Sequence, residues 1–144
     1  MRRRLIPLLA LAAAMLGTSF AGSASADIGG FVAIMNGANE VPGPGDPDGF
    51  GVATVMLDSD TGEVCVRLRV YNIRPATAAH IHVGGPTVAG PVVVPLPAPT
   101  SGSSSGCVLV TRSVVQRIID NPGNHYVNVH NAQFPAGAVR GQLR

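Results

Sequence analysis

The chain is 144 residues long, with ten arginines, no lysine and eight acidic residues, and only 4% aromatic and 12% charged residues. Three of the arginines, Arg2 to Arg4, precede an apolar run from Leu5 to Leu16 and the small-residue stretch Ala24-Ser25-Ala26, the layout of an export leader cleaved before Asp27. Residues 27–144 then carry seven arginines against eight acids, a net −1. A near-neutral chain with few aromatics and no basic cluster excludes a nucleic-acid partner. The apolar run is short for a membrane span, and no second run of spanning length follows, so the expectation is one exported domain, 27–144, without an integral membrane segment.

From Asp27 onward, short apolar runs broken by glycine and proline dominate the chain. Phe31 to Met35 is a first strand candidate, and Gly43 to Gly49 is a loop. Phe50 to Leu57 reads as a strand alternating at Val52, Thr54 and Met56. Glu63 to Tyr71 alternates more clearly, with Val64, Val66, Leu68 and Val70 on one face. The turn at Asp58-Ser59-Asp60-Thr61-Gly62 joins the two as a β-hairpin.

Strands are then expected at Thr77–Val83 and at Val92–Leu96, the latter placed at an edge by Pro95. Pro97 to Gly106 reads as a flexible Pro/Ser loop, and Gly106 to Thr111 as a strand. Ser113 with Gln116 fits a capping box for a helix with Val114, Val115, Ile118 and Ile119 on one face, stopped by Asn121-Pro122-Gly123. Tyr126–His130 and Ala138–Leu143 complete the strands. Seven to nine short strands and one short helix imply an all-β, single Greek-key β-sandwich of immunoglobulin-like or Cu/Zn superoxide dismutase-like type.

Two cysteines, Cys65 and Cys107, fall in different strands, and in an oxidising compartment the expectation is one structural disulfide. The histidines draw attention to the face opposite the apolar one. In Ala79-His80-Ile81-His82-Val83, strand alternation sets His80 and His82 on one side and the apolar residues on the other. Tyr126-Val127-Asn128-Val129-His130 repeats the pattern, with Asn128 and His130 sharing a face. Imidazole suits copper and zinc, so His80, His82 and His130 are the candidate ligands. The alternative is a structural polar cluster fixing one end of the fold. His125, on the opposite face, is expected to be exposed.

Arg140 is expected to pair with Glu40. Asp46-Pro47-Asp48-Gly49 is expected to be a solvated turn, because Leu57 stands where a calcium loop needs its twelfth-position glutamate. No nucleophile elbow, zinc-protease, P-loop or dinucleotide signature occurs, so no catalytic residue is assigned.

Asn39-Glu40-Val41-Pro42, Ala79 to Gly84, Gly90-Pro91-Val92-Val93, Tyr126 to His130 and Gly137 to Leu143 together resemble, in order, the motifs of the CHRD domain family. That family often has an acidic residue where this chain has Ala138, and a threonine where it has Asn131. The resemblance implies an exported β-sandwich without a settled activity. Hence the expectation of a non-enzymatic binding or structural module, a monomer with an unidentified extracellular partner or ligand, and as the alternative a copper- or zinc-binding protein.

Overall fold

The computed structural model describes residues 27–144, so the expected leader lies outside the described residues. Eight strands form one antiparallel sheet: β1 (Ile28–Asn36), β2 (Phe50–Asp58), β3 (Glu63–Tyr71), β4 (Ala76–Val83), β5 (Val92–Leu96), β6 (Ser103–Leu109), β7 (His125–Asn131) and β8 (Val139–Gln142). Their order is β5-β4-β7-β8-β1-β2-β3-β6. The all-β class with a single short helix, α1 (Arg112–Asp120), is as expected.

The sheet is continuous and curls until it nearly closes, with the edge strands β5 and β6 brought near each other. Its two four-stranded halves meet at a narrow junction, where Asn36 of β1 pairs with Arg140 of β8 and Val32 exchanges backbone hydrogen bonds with Arg144. One apolar core fills the space between the halves.

The β2–β3 hairpin forms for the reasons its sequence gives. Asp58 Oδ1 accepts from the backbone N–H groups of Asp60 and Thr61, and Gly62 takes φ +80°, which a β-carbon would strain. Val64, Val66, Leu68 and Val70 face the core. In β2 the core positions are Ala53, Val55 and Leu57, while Val52 and Met56 are exposed. Both sets are apolar, so alternation in β2 alone selects no face; pairing of Val55 with Val66 and Leu57 with Val64 does.

Two local expectations need correction. The stretch around Ser103 is not a loop: β6 begins there, because the edge of β3 offers backbone partners from Arg69 to Glu63 that outweigh poor strand propensity. The helix begins at Arg112, with Thr111 at its N-cap and no side-chain cap. Gln116 instead donates to Asp120 and Asp27. Its apolar face is as read, with Val115 and Ile118 buried and Val114 and Ile119 packed against the core.

Cys65 and Cys107 are bonded, and they occupy directly opposed positions of β3 and β6. Pro95 does lie on an edge strand. Asp46 is buried rather than solvated, because the loop after the 3₁₀ turn Gly37–Asn39 folds back on β8, where the Asp46 N–H donates to Ala138 O.

Candidate functional site

Strands β4, β7 and β8 are covered on both faces. Ala79, Ile81, Val127, Val129 and Val139 face the apolar core. The other face carries His80, His82, Tyr126, Asn128, His130, Arg140 and Gln142, and two loops fold over it. Cross-strand register sets the rows: His82 opposite Tyr126 opposite Gln142, and His80 opposite Asn128 opposite Arg140. His130 stands diagonal to His80, across from Ala78.

The structure brings His80, His82 and His130 together, with one ring nitrogen from each lying within 4.8 Å of the others. The closest pair is His80 Nδ1 and His130 Nε2, at 3.2 Å. Two nitrogens bound tetrahedrally to one zinc at ~2.0–2.1 Å would stand about 3.3 Å apart. His80 and His130 therefore stand at the spacing two zinc-bound nitrogens would have, and His82 would have to move inward to join them.

Backbone carbonyls fix the tautomers. His82 Nδ1 lies 2.8 Å from Gly90 O, and His130 Nδ1 lies 3.0 Å from Pro135 O. A carbonyl only accepts, so both Nδ1 atoms donate; the bare Nε2 of the neutral His130 ring then accepts from His80 Nδ1–H, a proton that must move to His80 Nε2 before Nδ1 can bind a metal. His82 Nε2 is buried with no hydrogen-bond partner. Metal-bound histidines are commonly oriented this way, by a carbonyl on the far ring nitrogen. Burial and the neighbouring imidazoles hold His80 below the usual histidine range. His130 is also lowered, chiefly by burial. Near neutral pH these two rings are therefore uncharged, as ligands must be.

The supporting residues were only partly visible in the sequence. Tyr126 stacks flat on His82, with ring centroids 4.8 Å apart and an interplanar angle of 6°. The Arg140 guanidinium sits 3.4 Å above the same tyrosine ring. Asn131 Oδ1 accepts from the N–H groups of Gln133 and Phe134, shaping the turn that presents Pro135 O to His130. An asparagine two and three residues before those N–H groups was an Asx-turn signal available in the sequence. Nothing local marked Gln142, whose amide donates to Gly84 O, Gly123 O and His125 O.

Arg140 is 1% exposed, and its partners differ from the expected one. Its guanidinium donates to Gly85 O, Val88 O and Gln142 Oε1, so it ties down the loop 84–91 rather than forming a hydrogen-bonded pair with Glu40. The same loop carries Gly90, whose approach to Val83 O leaves no room for a β-carbon. His125 is likewise not exposed: it is 4% accessible, because it lies on the core side of β7 beneath the end of α1, with Nδ1 2.9 Å from Asn121 O.

Glu40 is buried against Gly137, where any side chain would overlap its carboxylate. Burial pushes its carboxyl up to about 7, against the opposing pull of the Arg140 charge, the Asn128 side chain and the Val41 N–H. Glu40 Oε1 and Asn128 Oδ1 are both buried without a partner.

A folded-state pKa above the unfolded value means that the native protein holds a proton the unfolded chain has released. Glu40 therefore costs stability as pH rises from about 4.5 through about 7. At roughly 1.4 kcal/mol per unit, the variant Glu40→Gln is expected to gain about 2–3 kcal/mol relative to wild type between pH 5 and pH 8. Urea unfolding of both proteins at the two pH values measures this, and the opposing histidine contributions cancel in the difference.

The second grouping of candidate ligands, Glu63 with Cys65 and Cys107, offers no thiolate because its sulfurs are bonded to each other. Among the described residues no helix is long and apolar enough to cross a membrane. Neither the curated proteins nor the solved structures include a match to this chain. The family model described as the CHRD domain matches residues 31–143, which takes in the whole histidine face and nearly all of the sheet, and the chain belongs to the CHRD domain family.

Proposed function

We propose that this is an exported, non-enzymatic CHRD module that holds one copper or zinc ion at His80, His82 and His130. The observation that carries the reading is His82 Nε2, a buried nitrogen with no partner, turned by Gly90 O toward two further imidazoles. Three imidazole donors leave a coordination position for water or another ligand. Among the described residues no carboxylate groups with the three as ligand, base or nucleophile, which favours binding over catalysis. Export is supported by the leader pattern in residues 1–26, and the disulfide suits an oxidising compartment.

Titration of the dialysed protein with Cu²⁺ or Zn²⁺ is expected to reach one equivalent and to raise the thermal midpoint. At a free metal concentration of 100 times Kd the gain is about 2.7 kcal/mol. His82→Ala is expected to weaken binding at least ~100-fold, since it removes a direct ligand where loss of a supporting partner alone costs ~10–100-fold. Affinity should also fall as the pH drops through the histidine range, because protons compete for the same lone pairs. Binding no tighter than millimolar with an unmoved midpoint would sink the proposal.

A second reading rests on the bonds from His82 to Gly90 O and from His130 to Pro135 O. On that reading the histidines are ties that close two loops over the sheet. Their replacement would then lower stability equally with and without metal.

A further inference from the structure

The half-sheet on the far side of the core presents a polar and aromatic groove that the histidine site does not use. Along the outward face of β3 run Cys65, Arg67, Arg69 and Tyr71, and directly opposite on β6 stand Cys107, Ser105 and Ser103. Arg67 and Arg69 are exposed, and their cross-strand neighbours are Thr54, Val52, Ser105 and Ser103, none of them charged. The nearest acid on that face of β3 is Glu63, four residues from Arg67, or about 13 Å along the strand.

A groove of about 450 Å³ lies over Arg67, Arg69 and Ser103 to Ser105. It continues into a hollow of about 360 Å³ between Tyr71, Arg69 and the turn Ser101-Gly102-Ser103. That turn is fixed: Gly102 takes φ +89°, its N–H donates to Pro99 O, and its carbonyl accepts from Val70 N–H. At the end of the groove Tyr71, 45% exposed, stacks on Phe50 with centroids 4.8 Å apart and an 18° angle, which holds its ring rigid.

We propose that this groove binds an acidic polysaccharide, one whose sugar rings carry carboxylates. Arg67 and Arg69, at alternate strand positions, rise from backbone sites about 6.5–7 Å apart, and each guanidinium matches a planar carboxylate with two parallel N–H donors. The serine hydroxyls beside them both donate and accept, as sugar hydroxyls require. The held ring of Tyr71 gives an apolar surface with a polar tip for the C–H face of a sugar. The groove follows the strand rather than closing into a pocket, so it suits a segment of polymer. Edge-strand protection explains polar residues on β6, but it does not call for uncompensated arginines beside a braced aromatic ring.

Native affinity electrophoresis tests this with polygalacturonate in the gel, dextran as the neutral polymer and inorganic polyphosphate as an anion without sugar rings. The protein is expected to be retarded by polygalacturonate and not by dextran, with the retardation fading towards 1 M salt as charges are screened. The double variant Arg67→Ala, Arg69→Ala should lose at least tenfold in affinity, and Tyr71→Ala several-fold. Arg112→Ala with Arg117→Ala removes equal charge from α1 and should change little. All these side chains are exposed, so thermal midpoints confirm that each variant is folded. Equal retardation by dextran, equal retardation by polyphosphate, or equal loss in the α1 pair would each overturn the assignment.

Discussion

Replacing both Cys65 and Cys107 by alanine is expected to lower the stability of the protein by about 4 kcal/mol, from loop-closure entropy over a separation of 42 residues. For a domain of this size that corresponds to a fall in thermal midpoint of roughly 12–20 °C. The magnitude reflects the segment that the bond encloses. Between the two cysteines lie β4, β5 and the loop 84–91, so the closed segment includes two of the three histidines and the carbonyl that orients His82. Unfolding by urea with and without reductant measures the loss. A change below about 1 kcal/mol would mean that the pairing of β3 with β6 constrains the unfolded ensemble without the covalent link.

Arg140→Leu is expected to cost about 3–5 kcal/mol, although it replaces a charge by an apolar group. The carbonyls of Gly85 and Val88 and the side chain of Gln142 would each lose a charged donor while covered by the loop, and Tyr126 would lose the cation over its ring. Arg140→Lys should recover less than half, because one ammonium cannot serve three divergent acceptors and lie flat on an aromatic ring. Under the proposed metal-binding role, the effect should also reach the ion. Loop 84–91 supplies Gly90 O to His82, so loosening it should weaken metal binding by ~10-fold without touching a ligand. Isothermal titration of the folded variant at low temperature separates this from the stability loss. Unchanged affinity would show that Tyr126 alone holds His82 in place.

The sequence was most readable where one strand face meets solvent. In β3 the buried residues alternate with exposed ones from Glu63 to Tyr71, and the hairpin with its turn came directly from that pattern. The pairing of His80 and His82 on one face needs only the two-residue period of a strand. In β7 every residue except His130 is buried, so alternation could not say that His125 was covered. Burial there depends on α1 and on a helix-end carbonyl, which are tertiary facts. Side-chain types suggest partners and backbone carbonyls do not, so the sequence points Arg140 to an acid and is silent on Gly85 O and Val88 O. Nothing in Ser103 to Ser105 itself marks a strand, because its hydrogen bonds come from β3 and not from any preference of serine.

The double covering of β4, β7 and β8 divides the molecule into two regimes of sequence freedom. On β2 and β3, apart from the bonded Cys65 and the stacked Phe50 and Tyr71, every second side chain faces outward and is free of the core. On β7 one set of side chains is bound to the apolar core and the alternate set to the polar layer, so both must change in concert or not at all. A lineage built on this scaffold can rewrite its outward surface one position at a time while the histidine face stays locked. New specificities would then arise on the hairpin, with the histidine-bearing half inherited whole.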